Sequence, residues 1–234
     1  MPTLTLQSAV AGLKRLYGKP APPVSRDPFI LILWEQVAYL VPDAKRRTAF
    51  LQLKARVGLE PEEILAATPA TLRSIARIGG PIAAVARADR MHASAELVMR
   101  RFGGNLRKAL KLPADAARRA LSQFAMIGEP GADKILVFTR TARMLPLDSN
   151  GLRVLQRLGL AAQGRDYRSS YRRAREALAS ALPRTYDGLN DGYHLLRRHG
   201  QELCRRNAPD CPACPLLAQC PFGALNDSGR KRNA

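Results

Sequence analysis

Apolar residues recur at three- and four-residue spacing through most of the chain, with polar residues between them. This period is typical of amphipathic helices, whereas the alternation expected of half-buried strands is scarce. The pattern therefore predicts an all-α protein of about ten short helices. The clearest helical runs are 29–41, 64–78 with an interruption at Pro69, 93–102, 114–127 and 171–182.

Glycine, proline and short polar residues separate the helical runs and predict where the chain turns. Asp115 and Asp148 are residues of the type that begins helices. The basic tail at 230–232 is predicted to be disordered. The predicted breaks are Pro42–Asp43, Pro61, 79–81, 103–105, Pro113, 128–131, Gly164 and 187–188.

The charge of the chain indicates that the predicted helical protein binds a polyanion. It has 38 Lys and Arg residues against 19 Asp and Glu residues, a net charge of +19. Nucleic acid is the expected partner of so basic a surface. A membrane is not expected, because no apolar run approaches the roughly 20 residues that span a bilayer. The alternative is an arginine-rich proteome in which the basic faces are merely solvated.

Four cysteines close to the C-terminus follow the spacing C-x6-C-x2-C-x5-C. A disulfide framework would spread cysteines through a small secreted chain, and the sequence shows no signal peptide. Convergent thiolates favour a metal centre, and the wide gaps favour a [4Fe–4S] cluster over tetrahedral zinc, which usually takes two C-x2-C pairs. Unliganded thiols are the third reading. Reduced thiols without a targeting segment predict a cytoplasmic protein. The four residues are Cys204, Cys211, Cys214 and Cys220.

The segment 127–136 contains a glycine-rich turn, with Gly128 and Gly131, between two predicted helices. Such a turn exposes unpaired N–H groups at the start of the second helix, next to the positive end of its dipole. It can therefore bind a phosphate without reading base sequence. By itself, the segment is equally compatible with an ordinary turn between helices.

Asp148 follows Gly128 by twenty residues, and a helix containing Arg153, Val154 and 157–159 comes next. The order of hairpin, aspartate, helix and cysteine loop resembles the endonuclease III branch of the helix-hairpin-helix DNA glycosylases. The resemblance extends from about Pro28 to Cys220.

The resemblance implies a two-lobed helical protein. A six-helix barrel lobe with the hairpin would occupy residues 28–142. Residues 1–27 and 143–234 would form the second lobe, which holds a [4Fe–4S] cluster on the four cysteines. The partner would be duplex DNA whose damaged or mispaired base is flipped out of the stack. A monomer associated with the nucleoid is expected.

Two acidic residues are the catalytic candidates that the resemblance implies. Asp148 would stabilise positive charge that develops at the sugar C1′ and would orient a nucleophile. Its alternative role is a helix N-cap, and the two roles are compatible. Glu35 matches a glutamate that acts as a general acid in adenine-removing relatives. The alternative for Glu35 is a surface ion pair with an arginine.

The hairpin departs from the family pattern at the lysine that forms a Schiff base in bifunctional members. Pro130 stands at that position, so the covalent lyase route lacks its nucleophile. Lys134, one helical turn further on, is a conceivable substitute, but a structural or phosphate-facing role is the favoured interpretation of this residue. The first hairpin glycine is replaced by Met126, with Ala125 in place of a proline. Because methionine tolerates positive φ poorly, we expect a reshaped hairpin or a shifted register.

Three further residues are predicted to contact DNA. Leu40 stands where the family has a glutamine that fills the hole left by the flipped base, and a leucine can still act as a wedge. Arg205 and Arg206, between the first two cysteines, are expected to contact phosphates.

The sequence therefore predicts a base-excision DNA glycosylase that uses water, with weak or no lyase activity. The alternative is a catalytically impaired protein on the same scaffold that binds distorted or damaged DNA. A third reading is a basic zinc protein without a repair function.

Overall fold

The computed structural model describes residues 4–230, with side chains described as far as Leu225. Within this range the chain forms twelve α-helices and three short 3₁₀ helices, without a β-strand. The prediction of an all-α protein is confirmed. None of the described helices is both long enough and apolar enough to span a membrane. Lys231 and Arg232 of the basic tail lie outside the described residues.

The chain divides into two compact units, one of residues 24–141 and one of residues 1–23 with 142–234. The assignment of residues 28–142 to a six-helix barrel lobe and of both termini to a cluster lobe stays a prediction.

The unit of residues 24–141 is built around its longest helix, α6, which packs against α2, α4 and α5. One face of α6 is buried, including Ala88, Met91, Ala95 and Val98 at three- and four-residue spacing. Helix α7 packs against α8 and forms a helical hairpin with it. The helices are α2 (Pro28–Gln36), α3 (Asp43–Arg56), α4 (Pro61–Ala66), α5 (Pro69–Ile78), α6 (Ala84–Phe102), a 3₁₀ helix (Leu106–Lys111), α7 (Ala114–Leu121) and α8 (Glu129–Phe138).

The unit of both termini is centred on α11, which packs against α1 and α9. Leu189, Leu195 and Leu196 of α11 are almost fully buried and form much of its core. The helices are α1 (Leu6–Tyr17), α9 (Ser149–Arg157), α10 (Tyr167–Leu178), a 3₁₀ helix (Ala179–Ala181), α11 (Tyr186–Glu202), a 3₁₀ helix (Leu217–Gln219) and α12 (Pro221–Arg230).

Two predicted helical runs are too long. The run 29–41 ends at Gln36, because Pro42 disfavours helical geometry at the residue before it and Leu40 takes a left-handed backbone with φ 50°. The run 114–127 ends at Leu121 and continues as the hairpin turn. In both places the apolar residues that suggested a helix belong to a turn.

The predicted break at 187–188 is wrong, because both residues lie in the first turn of α11. The hydroxyl of Thr185 accepts a hydrogen bond from the Gly188 N–H and so begins the helix upstream of them. Gly131 likewise lies inside the first turn of α8. The helix starts predicted at Asp115 and Asp148 are confirmed.

Candidate functional site

The turn between α7 and α8 contains a left-handed residue that is not glycine. Met126 has φ 70° and is 41% exposed. The expectation of a reshaped hairpin or a shifted register stays a prediction. A non-glycine residue in this conformation costs about 1–2 kcal/mol, which the surrounding contacts must offset.

Gly128 is the exposed N-cap of α8. Its φ of −81° suits any residue, and a Cβ built on it would meet nothing nearer than Pro130 Cδ at 3.9 Å. The fold itself therefore does not require glycine at this position. The missing side chain leaves the N–H groups at the start of α8 open to an external acceptor.

Gln36 anchors the hairpin, and its role was not predicted from the sequence. It is fully buried at the end of α2. Its Nε2 donates to the Ala125 carbonyl at 3.0 Å and to Ser94 Oγ at 2.9 Å. The signal was available, since a glutamine at the end of a strongly apolar helix needs buried hydrogen-bond partners.

A buried ion pair joins the two hairpin helices. Asp133 of α8 is 0% exposed, and Arg118 of α7 donates from Nε to its Oδ1 at 2.5 Å. Arg118 also contacts Asp115 in the first turn of α7. Removing one partner would leave a buried charge uncompensated, so the pair holds α7 and α8 in one arrangement.

Glu35 and Lys134 form an ion pair, with 2.7 Å between Lys134 Nζ and Glu35 Oε1. Their side chains are 24% and 13% exposed, so water screens the pair only partly. Glu35 thus pairs with a lysine, and the pairing with an arginine in the alternative reading stays a prediction. The ammonium group favours the ionised form of the carboxylate.

Pro130, which we predict to stand at the position of the family lysine, lies in the first turn of α8, where proline fits without loss of a helical hydrogen bond. Gly131 follows it, and a Cβ there would make an ordinary contact of 3.5 Å with Ile127 Cγ2.

Leu40 lies at the tip of the turn between α2 and α3 and is 74% exposed. Its φ of 50° is strained for a leucine. An apolar side chain held out into water in a strained conformation suggests a surface contact rather than a packing role.

Asp148 is the N-cap of α9. Its Oδ1 accepts from the N–H groups of Asn150 at 3.0 Å and Gly151 at 2.8 Å. Its Oδ2 lies 3.4 Å from Nε of Arg197 and accepts from Asn150 Nδ2 at 3.3 Å. The side chain is 28% exposed. The capping role is therefore present, and it fixes the orientation of the carboxylate.

All four cysteines line one cavity of the unit of both termini. Its other walls are largely apolar, with Val154, Leu158, Leu203 and Phe222 among them. Among the described residues, no three His, Cys, Asp or Glu side chains form a group that could hold a single metal ion as they stand. A tetrahedral zinc site needs four ligands about 2.0–2.3 Å from one point, whereas four thiolates spaced around an apolar cavity can also hold a cluster.

N–H groups point at the cysteine sulfurs. The amides of Leu216 and Gly223 each lie 3.4 Å from a sulfur, that of Cys214 and that of Cys220 respectively. Arg157 Nη1 lies 3.4 Å from Cys204 Sγ. Such donors stabilise thiolates that are bound to iron or zinc.

Burial, and secondarily the neighbouring cysteines, raise the pKa of the Cys214 thiol to about 11 and also raise the pKa of the Cys220 thiol. A bound cation would offset this effect and favour the thiolate form of these two residues. The donor set and the apolar walls fit a [4Fe–4S] cluster.

His199 connects this cavity to α1. It is 1% exposed, and its Nε2 lies 3.5 Å from Cys214 Sγ while its Nδ1 lies 3.2 Å from the Tyr17 hydroxyl. Burial lowers the pKa of His199 to about 4, so the imidazole is neutral at pH 7. A hydroxyl that donates to Nδ1 and an Nε2–H that donates to sulfur satisfy all three groups.

The sequence and the fold of the chain are similar to those of known proteins. No protein-family model matches the chain. Endonuclease III of Sulfolobus acidocaldarius is 25% identical to it over 201 residues, which cover 85% of this chain and 83% of that protein. The chain is a homologue of endonuclease III.

The fold of the chain is similar to that of solved endonuclease III structures. A non-covalent endonuclease III–DNA complex matches with a TM-score of 0.74 at 20% identity, over 97% of this chain and 100% of that chain. A thermostable thymine-DNA glycosylase matches with a TM-score of 0.73 at 14% identity, over 94% of this chain and 97% of that chain.

In this endonuclease III homologue, the predicted site residues fall into two sets. Glu35, Leu40, Gly128 and Gly131 lie in the unit of residues 24–141, whereas Asp148 and the cysteines lie in the other unit. The last two predicted residues, Arg205 and Arg206, are exposed on the cysteine loop.

Arg157 supports the loop that carries the two arginines. It donates to the backbone carbonyls of Arg205 at 2.8 Å and Arg206 at 3.1 Å, and its guanidinium lies 4.1 Å from the ring centroid of Phe222. Arg205 also donates to the Ala208 carbonyl at 3.2 Å. The loop backbone is therefore fixed while both side chains remain open to solvent.

Proposed function

We propose that this endonuclease III homologue is a base-excision DNA glycosylase that removes a damaged or mispaired base from duplex DNA and uses water as the nucleophile. The observation that carries the proposal is the hairpin. Met126 keeps the left-handed turn at an energetic cost, and the open space at Gly128 exposes the start of α8. A turn without a function would not need to retain this strained geometry.

Phosphate binding by the hairpin would hold the duplex without reading its sequence. Arg205 and Arg206 would add contacts to phosphates, since both side chains extend from a fixed loop. With a net charge of +19, the protein would bind DNA with a strong salt dependence. The expected place of action is the nucleoid, and a monomer suffices for the reaction.

Asp148 would stabilise the positive charge that develops at C1′ as the glycosidic bond breaks. Oδ1 is held by two backbone N–H groups, so the carboxylate is oriented before DNA arrives. The hydroxyl of a water molecule would then bond to C1′ and the remaining proton of that water would pass to solvent, while the electrons of the broken bond leave with the base.

Glu35 would supply the proton to the departing base. The carboxylate must first gain that proton, which the Lys134 ammonium 2.7 Å away opposes because it stabilises the ionised form. Glu35 would therefore act as the acid only after DNA binding has separated it from Lys134.

The four cysteines would hold a [4Fe–4S] cluster in the cavity between α9, α11 and α12. Such a cluster would fix the cysteine loop as a rigid support for Arg205 and Arg206. The role of this chain's own residues is to supply four thiolates and N–H donors to them, as the contacts of Leu216, Gly223 and Arg157 indicate.

Leu40 would fill the space that the flipped base leaves. It is 74% exposed on a strained turn and has the apolar character of the wedges that other proteins insert between bases. Leucine cannot hydrogen-bond to the orphaned partner base, so it would support extrusion without selecting the opposite base.

A panel of duplexes with oxidised, deaminated, alkylated and mispaired bases tests the proposal. We expect release of at least one free base by the wild-type protein. The alternative function is lesion binding without catalysis, which the replacement of the family lysine by Pro130 favours. Tight binding to one lesion with no base released from any duplex would support that alternative.

Schiff-base chemistry is expected to be weak or absent, because Pro130 has no side-chain amine. With abasic duplex and borohydride, the trapped covalent complex should stay near background. The variant Pro130→Lys places an amine at the family position and should increase the trapped fraction about tenfold or more.

The variant Lys134→Ala is the control for a substitute nucleophile. A strong trap with the wild-type protein that disappears in Lys134→Ala would show that Lys134 has taken over the lyase step and would refute a purely hydrolytic enzyme.

A further inference from the structure

Arg87 of α6 is fully buried at 0% exposure. Burial, and secondarily the nearby Arg46 and Arg90, lower the pKa of its guanidinium. Four backbone carbonyls accept its hydrogen bonds, and all of them are neutral. They are Val37 at 2.5 Å, Ala76 at 2.7 Å, Ile82 at 3.1 Å and Gly80.

These acceptors come from three separate segments. Val37 follows α2, Ala76 lies in α5, and Gly80 with Ile82 lies in the turn before α6. One guanidinium therefore connects two turns, residues 37–42 (the Leu40 turn) and residues 79–83 (the Ile82 turn). The planar fork of arginine is suited to several fixed acceptors at once, which a lysine ammonium is not.

The two turns also contact each other directly. The Tyr39 N–H donates to the Gly79 carbonyl at 3.3 Å. A Cβ on Gly79 would lie 2.1 Å from the Val37 carbonyl oxygen, so only glycine permits this approach. The turns are thus held as one body over the buried arginine.

Both turns present strained, exposed apolar residues. Leu40 has φ 50° and is 74% exposed, while Ala83 has φ 50° and stands next to Ile82, which is 49% exposed. Left-handed non-glycine residues persist only where their surroundings over-determine them. The hydrogen bonds from the buried Arg87 to both turns hold the backbone of these turns in place.

We propose that Arg87 is a positioning residue for base extrusion, which holds the Leu40 turn in the conformation that presents Leu40 to duplex DNA. The inference rests on the proposed function. Preorganisation means that the turn need not be ordered when DNA binds, so more of the binding energy is left for unstacking the base.

The variant Arg87→Lys tests the proposal because lysine keeps the positive charge but lacks the planar guanidinium that donates to several carbonyls at once. Single-turnover base release is compared on two substrates, one with the target base paired in a duplex and one with the same base already unstacked in a bulge. We expect a loss of about tenfold on the paired duplex and less than about twofold on the bulge. A role in folding alone would lower both rates equally.

Three other variants complete the test. Ile64→Ala opens a core cavity in α4 away from both turns and should not discriminate between the substrates. Gly80→Ala strains the Ile82 turn, since φ is 112° and the Cβ would lie 2.8 Å from Val41 Cγ1. If Arg87→Lys does not fold, Gly80→Ala replaces it in the test and should show the same loss of base release on the paired duplex. In a Leu40→Ala background, Arg87→Lys should lower base release from the paired duplex very little further, because both residues act on the same step, the extrusion of the base.

A 2-aminopurine probe beside the target base reports unstacking by its fluorescence. This measurement distinguishes failure of the role of Arg87 from failure of the proposed glycosylase function. Base release by the wild type with equal losses on both substrates, or with additive effects of Arg87→Lys and Leu40→Ala, overturns the role of Arg87 alone. If the wild type unstacks the probe without releasing any base, the glycosylase function fails, and the same variants must still lower probe fluorescence. If the wild type does neither, both proposals fall.

Discussion

Replacing Asp148 by asparagine is expected to lower single-turnover base release by about a hundredfold or more, because the charge that stabilises developing positive charge at C1′ is lost. Asparagine keeps an oxygen that can accept from the Asn150 and Gly151 N–H groups, so the helix cap survives. The thermal unfolding temperature should therefore change little. Rate and unfolding temperature together separate the two roles of this residue.

Asp166→Asn is the matched control, since Asp166 is also an N-cap aspartate and accepts from Ser169 N–H at the start of α10. It undergoes the same change in charge and the same change in capping group. We expect its base release to equal that of the wild type. If Asp148→Asn retained wild-type release, or lost it only in proportion to unfolding, Asp148 would be a cap and no more.

Replacing Cys214 by serine is expected to abolish the iron centre, because one of four thiolates is lost from an apolar cavity where a serine hydroxyl is a poor ligand for iron. The anaerobically purified wild type should be brown, absorb near roughly 400 nm and contain about four irons per chain. The variant should lose this absorbance, and its unfolding temperature should fall by about 10 °C, as expected for a loss of several kcal/mol.

Metal analysis of the same samples distinguishes the two metal centres. About one zinc per chain with no absorbance near 400 nm would contradict the cluster and support a structural zinc site. Salt-dependent binding to undamaged duplex is a second readout, since a disordered cysteine loop should lose the phosphate contacts of Arg205 and Arg206.

The helical character of the chain was predictable because its apolar residues repeat with the helical period and its turn residues interrupt that period. The N-cap role of Asp148 was predictable for the same local reason. The conformations of Leu40 and Met126 were not, because an apolar residue at a turn fits a helical pattern equally well. Only tertiary contacts force these two residues to positive φ.

The hydrogen-bond and ion-pair partners of buried polar residues were also not predictable from the sequence. Gln36, Arg87 and Asp133 are polar residues within helical patterns, and their hydrogen-bond partners belong to other helices or turns. Lys134 as a partner of Glu35 was not predictable for the same reason, since it comes from a different helix. Periodicity identifies which residues face the core but not which of them meet there.

The open space at Gly128 makes this position unusual among the glycines of the chain. Neither the backbone conformation nor a neighbouring atom of the protein selects against a side chain there. Selection at Gly128 would then report on the DNA partner and not on the fold. In a mutational scan, larger residues at this position would leave protein abundance unchanged while repair is lost, which makes Gly128 a separation-of-function position.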